Sequence, residues 1–545
     1  MTREASATRE ANATDLAMRS VLGRDRGTMI DFLEARAALH GEATFLSWRG
    51  EGSLQKWTYA EAWEEVRRTA AGWRALGCQP GTRIASYASN CPNVVWAWFG
   101  AQAAGAVWVA INRKLLGNLL SDQLGRSEAS LLVTETGALP ELQALELDVS
   151  KWTIVLVDKP APSSSYVLVD ELRKAEPRPL DPQDPDAVQL ISYTSGSTGR
   201  TKAARLPNFH MIRHGVAYAQ GFGLGRTDVT FGWNPLFHMG GVMMESLGGG
   251  LEHALYPNFS ASRFWHEVRE SGATYLLGFP VVVKILLGMP ESPRDRDHSL
   301  RKMFCVGLDE KAESEAEERF GFTIVNAYGG TEAEAVTVPL PTERQPRGSC
   351  GLLHPDWRAQ LVDDRGAQVE LGEIGEMLVR PTVPGNLFQG YEGDAEATVN
   401  AWRDLWYRTG DLFRQDDRGY FYFAGRKAHR LRRRGENISE VELRQLLESH
   451  PAVSEVCVVA VPSEMGEDEI KCAIQLVEGE ELDVVTYHEW CVANIPQYML
   501  PRYYLLCDEL PRLPLGKADV REVRDRTDGV VDILALMHSR RPGGS

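Results

Sequence analysis

The segment Ile191-Ser192-Tyr193-Thr194-Ser195-Gly196-Ser197-Thr198-Gly199-Arg200-Thr201-Lys202 carries the clearest chemistry in the chain. An apolar run ends at Tyr193 and reads as a strand. Small hydroxyl residues and two glycines follow, and a lysine closes the run. Gly196 and Gly199 let main-chain N–H groups turn inward around an anion. Thr194, Ser195, Ser197 and Thr198 add hydroxyl donors, and Lys202 adds a point charge. Many weak donors around one cation suit a polyphosphate. The Walker pattern GxxxxGK[ST] is not matched, because Ala203 follows Lys202. A Ser/Gly run alone would be a polar surface loop; the strand before it and the lysine after it favour phosphate binding.

Five other stretches hold reactive or charged side chains. Asn326-Ala327-Tyr328-Gly329-Gly330-Thr331-Glu332 sets an aromatic, two glycines, a hydroxyl and a carboxylate at a strand end. Tyr328 suits stacking on a base, Gly329 and Gly330 suit close backbone approach, Thr331 suits an α-phosphate, and Glu332 suits Mg²⁺, which needs few carboxylates when phosphates share it. Without further context the stretch is also an ordinary turn. Asp411, in Trp406-Tyr407-Arg408-Thr409-Gly410-Asp411-Leu412, can accept both hydroxyls of a ribose or be a plain turn residue. His238, in Pro235-Leu236-Phe237-His238-Met239-Gly240-Gly241, and Lys517, in Leu510-Pro511-Arg512-Leu513-Pro514-Leu515-Gly516-Lys517, read on their own as a structural histidine and a surface lysine. The basic run from Gly425 through Arg426 to Arg434 and Ser439 lacks stacking aromatics, which argues against nucleic acid.

The elements that must position these groups alternate. Thr58 caps an amphipathic helix running through Leu76, and Pro80-Gly81 marks a turn. Strands are expected at Arg83–Tyr87, Ala106–Ile111, Leu131–Thr134, Thr153–Val157 and Val188–Tyr193, with a buried helix near Val94–Ala104. The alternation predicts an α/β fold with parallel-rich sheets. Pro160–Pro185 reads as a surface connection. Shorter strands at Glu376–Val379 and Tyr420–Phe423, around the Asp416–Gly419 turn, predict a small β-rich subdomain. The grammar changes again near Gly425, where a small α+β domain begins. The expected organisation is a flexible arm over 1–28, a large domain over 29–425, a small C-terminal domain over 426–526 and a tail over 527–545.

Composition excludes several classes. The 545 residues exceed one ordinary core. A net charge of −16 disfavours nonspecific binding to nucleic acid or to anionic membranes. The eight cysteines form no CxxC spacing, so neither a disulfide scaffold nor structural zinc is expected. No secretory leader and no membrane span is read, so a cytoplasmic protein is expected.

With these motifs in order, the chain resembles the acyl-adenylate-forming superfamily over roughly Phe32 to Arg524, and within it bacterial small-acid CoA ligases of the carnitine/crotonobetaine type. The phosphate loop looks like the superfamily's YTSGSTGxPKG, and Gly390-Tyr391-Glu392-Gly393-Asp394-Ala395-Glu396-Ala397-Thr398 also looks like the family. The resemblance implies ATP and Mg²⁺, activation of a small acid as its AMP anhydride, and CoA as co-substrate, with a carrier protein as another acceptor. It places His238 by the acid pocket, Arg426 on ribose or phosphate, and Lys517 as the catalytic lysine of a mobile C-terminal domain. Arg432–Arg434 would face the CoA phosphates, and Trp233 and Gly330 join His238 as pocket positions. Three departures stand out: Thr201-Lys202-Ala203 in place of Pro-Lys-Gly, Val306-Gly307-Leu308-Asp309 in place of Gly-Ala-Pro, and His429 at the hinge. Alternatives are activation of nitrite to diazotise an aromatic amine, loading of a carrier protein, and a non-catalytic nucleotide-binding role.

Overall fold

A computed structural model describes residues 13–50, 54–115, 117–145, 147–159, 166–194, 201–238, 243–427, 431–433, 436–438, 440–462, 468–495, 497–513 and 517–540. The chain divides into two compact units. The first comprises Met1–Ala359, Val379–Tyr407 and Arg418–Phe421, and the second Gln360–Leu378, Arg408–Asp417 and Tyr422–Ser545. The expected α/β architecture is present, with parallel-rich sheets, a smaller β-rich part and a small C-terminal fold.

The first unit contains two seven-stranded sheets. In one, Arg83–Tyr87 lies between Val107–Ala110 and Leu131–Thr134, and all three run parallel. The residues of Val107–Ala110 and Leu131–Thr134 are buried throughout, as parallel strands covered on both faces require. Val188–Thr194 joins this sheet parallel to Val107–Ala110, and Lys202–Pro207 folds back on it antiparallel. In the other sheet Val229–Gly232 sits between the parallel strands Glu252–Leu255 and Tyr275–Leu277, with Lys302–Phe304 and Thr323–Val325 beyond.

Local signals account for several boundaries. Thr58 accepts from Glu61 N, and Glu61 returns the bond to the Thr58 N–H, a reciprocal cap on the helix Tyr59–Ala75. The helix Pro92–Ala103 opens on a proline and is buried from Val94 onward. Within the expected surface connection, Val167–Leu168 forms an edge strand followed by a single helical turn, Val169–Leu172.

The N-terminal segment departs from expectation. Residues 13–22, read as part of a flexible arm, form the helix Ala13–Leu22. Its buried Asp15 accepts from Arg213 Nη2 at 2.8 Å, and Arg213 also grips Asp356 through two 2.6 Å bonds. Thr14 reaches Gln220 and His354. Near the other terminus, the helix Ile533–Arg540 covers part of the expected tail.

The second unit carries the four-stranded sheet Val453–Pro462, Asp468–Leu476, Tyr503–Cys507 and Val530–Asp532. The helices Glu440–Glu448 and Val484–Asn494 contribute Leu443, Leu447, Tyr487 and Cys491 to one apolar core. None of the eight cysteines is in a disulfide. Among the described residues, no helix is long and apolar enough to cross a membrane.

Candidate active site

In the first unit the two arms of the phosphate loop form a hairpin. Thr194 and Lys202 face each other as the last register pair of the antiparallel strands. Ser195, Gly196, Ser197, Thr198 and Gly199 lie outside the described residues. The strand therefore runs one residue past Tyr193, and Lys202 opens the next strand. Arg126 fastens the lysine arm, donating to the Thr201 carbonyl at 3.2 Å and to its hydroxyl at 3.0 Å. The same guanidinium lies over the Tyr193 ring, whose hydroxyl donates to Gln123 O. The first departure has a packing reason: Ala203 is buried in the sheet core opposite Tyr193, where a side chain fits.

A second turn meets this hairpin. Tyr328–Gly330 pairs antiparallel with Ala333–Val338, leaving Thr331 and Glu332 at the bend. A Cβ at Gly329 would come within 2.6 Å of the Tyr218 hydroxyl and 2.8 Å of Ala335 N, so only glycine allows this close approach. Ala335 adopts a left-handed φ of 48°, strained for a residue with a side chain. Tyr218 holds that kink, accepting from Ala335 N and donating to Glu334 at 3.0 Å.

Glu332 ties the two turns together. Its Oε1 accepts from the Tyr391 hydroxyl at 2.8 Å and from the Thr194 hydroxyl at 3.5 Å. Lys202 Nζ sits 5.0 Å from the centre of the Tyr391 ring, a cation–π distance. Thr194, Lys202 and Glu332 are thus brought together, with Thr331 next in chain and half-buried. One half-buried carboxylate beside hydroxyls is a donor set for Mg²⁺ that keeps waters and phosphate oxygens as its other ligands. Among the described residues no group of three or more His, Cys, Asp or Glu side chains could hold a metal.

Buried titratable groups lie behind the second turn. His210 is wholly buried, with the Thr331 main chain and Asn386 as polar neighbours, and burial pushes its pKa down to about 4. Burial also raises the Glu245 carboxyl to about 8 and the Glu334 carboxyl to about 7. Sequence reasoning assigned no role to Tyr391, Tyr218, His210, Glu245 or Glu334. The only signal was Gly390-Tyr391 within the stretch resembling the superfamily.

The acid-pocket positions fall in different environments. His238 is exposed at the end of the short turn Leu236–His238, its ring 4.2 Å from that of Phe237. Asn90 braces this loop, donating to the Trp233 and Asn234 carbonyls and accepting from Leu236 N. Trp233 is a core residue packed among Phe231, Phe259 and Phe264, and Gly330 is exposed. The second departure is a helix cap: Asp309 accepts from Ala312 N at 2.8 Å and opens the helix Glu310–Phe320.

The remaining site residues belong to the second unit. Asp411 is buried, follows the left-handed Gly410 (φ 72°), and pairs with Arg426 Nε at 3.2 Å. Thr409 fixes the bend, accepting from Asp411 N and donating to Met377 O. Lys517 is exposed on the returning arm of a hairpin, where Leu513 N donates to Lys517 O at 2.7 Å and Asp519 N to Pro511 O at 2.7 Å. Arg512 anchors the other arm on Glu455. Arg432 and Arg433 lie on the strand Leu431–Arg433, paired with Glu436–Ile438. His429, Arg434 and Ser439 lie outside the described residues.

The AMP-binding enzyme model matches residues 33–392, and the model of the AMP-binding enzyme C-terminal domain matches 442–517. The crotonobetaine/carnitine–CoA ligases of Salmonella heidelberg (strain SL476) and Salmonella typhimurium (strain LT2) are each 31% identical over 494 residues, covering 88% of this chain and 96% of the relative. Among solved structures, O-succinylbenzoate coenzyme A synthetase from Bacillus subtilis with ATP and magnesium ion superposes with TM-score 0.77 at 24% identity, covering 91% of this chain and 99% of that one. An anthranilate CoA ligase with anthranoyl-AMP gives TM-score 0.80 at 23% identity, covering 90% and 96%. At these identities the structural likenesses establish the fold.

Proposed function

The chain belongs to the AMP-binding enzyme family, and from that premise we propose that it activates a small carboxylic acid as its acyl-AMP, releases pyrophosphate, and passes the acyl group to the thiol of CoA in the cytoplasm. The observation that carries this reading is the meeting of Thr194, Lys202 and Glu332 through Tyr391 at the bend before Ala333.

A carboxylate becomes a good acyl donor only when its oxygen gains a better leaving group. One carboxylate oxygen attacks the α-phosphorus of ATP, the bond to the bridging oxygen breaks, and pyrophosphate leaves with that electron pair. There is little covalent work for the protein in such a transfer, so positioning and charge dominate. Lys202 and the hydroxyls of the loop hold the triphosphate, and Thr331 donates to the α-phosphate. Glu332 would hold Mg²⁺, which when bound would neutralise phosphate charge. Tyr328 stacks on the base, while Asp411 and Arg426 hold the ribose. His238 borders the acid. Lys517 supplies the charge that meets the α-phosphate and the attacking carboxylate. In the second half-reaction the thiolate of CoA attacks the acyl carbon and AMP departs. Arg432–Arg434 offer charge for the CoA phosphates.

The test is product analysis. Purified protein is supplied with MgATP, a panel of small acids and CoA, and products are identified by mass spectrometry. Acyl-CoA and AMP formed in equal amounts are expected. Azo or diazonium products from nitrite and an aromatic amine, or acylation of a carrier protein with CoA unused, would overturn the choice of acid or acceptor.

A further inference from the structure

Resting on the reading just given, we propose that Tyr391 is a positioning residue that aims Glu332 at the divalent cation and braces Lys202 for the phosphates. Its segment is stitched to both partners by the main chain. Phe388 N donates to Glu332 O at 3.0 Å, which anchors the bend. Gln389 N donates to Arg205 O, Arg205 N to Gly390 O, and Glu392 N to Ala203 O, so residues 389–392 run along the strand that Lys202 opens. Ala204 and Tyr391 form an antiparallel bridge. Thr398 Oγ1 accepts from Tyr391 N at 2.9 Å and closes the turn behind it.

From this fixed backbone one side chain serves two partners. The hydroxyl donates to Glu332 Oε1 at 2.8 Å, and the ring face receives Lys202 Nζ. The Thr194 hydroxyl also meets Oε1, so both described hydroxyl donors converge on one oxygen and Oε2 is the oxygen offered to a cation. A carboxylate bonded at one oxygen is fixed in direction for a ligand at the other. Tyr391 is buried against Phe388, at a ring distance of 4.9 Å.

Calorimetry with Mg²⁺ and α,β-methylene-ATP, using AMP as the nucleotide that needs no metal, separates this role from a structural one. Tyr391→Phe keeps the ring and removes the hydroxyl. It is expected to weaken binding of the Mg²⁺–analogue pair about tenfold, the scale of a hydrogen bond to a charged group. The Mg²⁺ concentration for half-maximal pyrophosphate exchange should rise by a similar factor, while AMP affinity stays within about twofold. Glu332→Gln should show the same selective loss. Tyr391→Leu, which also removes the brace on Lys202, should weaken the analogue further. An analogue affinity for Tyr391→Phe within about twofold of wild type would overturn the proposal, as would equal losses for AMP and the analogue. Wild-type protein that fails to bind the analogue would overturn the adenylation reading together with this one; the other two failures leave that reading standing.

Discussion

The phosphate end of the first unit and the lysine hairpin of the second are built in opposite ways. Lys202 begins a strand in a seven-stranded sheet, faces Thr194 in register, and packs over a buried tyrosine. Lys517 stands exposed on a hairpin held by main-chain bonds. A group that must hold a triphosphate before chemistry gains from being fixed, since ordering it then costs little on binding. A group needed for only one step gains from being able to leave. The difference suggests dividing the labour over the phosphates: the triphosphate held by the first unit, transition-state charge supplied from the second.

The largest expected effect breaks the scaffold of the first unit alone. Arg213→Ala leaves Asp15 and Asp356 buried without their shared partner. A loss of about 3–5 kcal/mol follows for such a truncation. Hydrogen exchange should accelerate in the helix Asn208–Gly221 and stay unchanged in the strand Val453–Pro462. Equal acceleration in both would deny the units separate stability. Next, Lys517→Ala should slow pyrophosphate exchange by about 10²–10³-fold. ATP affinity by calorimetry should hold within about threefold; a matching loss of affinity would make Lys517 a binding group like Lys202. A smaller effect is expected from Asp411→Asn, which should raise the KM for ATP about tenfold with a lesser change in kcat. A change confined to kcat would move Asp411 off the ribose.

The smallest effect concerns pH. Burial raises the Glu245 carboxyl from 4.5 to about 8, with Glu334 adding to the shift. Below about 4.5 its contribution to stability is fully present, because folded and unfolded chains both carry the proton. As pH rises towards 8 the unfolded chain releases it first, so that contribution is lost. Between pH 5 and 8 the melting temperature should fall by roughly 2–4 °C from this group. Glu245→Gln should flatten that part of the curve in thermal melts; parallel curves for mutant and wild type would remove Glu245 as the cause.

Much of the fold was legible because its signals are local. The strands Arg83–Tyr87 and Leu131–Thr134 end where the apolar runs end, and Thr58 announces its helix through Glu61 three residues on. Long-range pairings were not legible. The helix Ala13–Leu22 reads as a polar arm because Asp15 meets Arg213, 198 positions further along the chain. Trp233 looks like a pocket aromatic until the fold surrounds it with Phe231, Phe259 and Phe264. Tyr391 carries no local mark of its tie to Glu332, 59 residues away, or to Lys202 in another strand. His210 and Tyr218 sit in a helix whose pattern shows only that it is buried.

Adenylation itself is tested most directly by exchange of labelled pyrophosphate into ATP, with Mg²⁺ and a panel of small acids that includes nitrite. The account predicts exchange that depends on a carboxylic acid, needs no CoA, and stops when the metal is chelated. Folded protein that binds ATP yet gives no acid-dependent exchange, or gives it with nitrite alone, would contradict it.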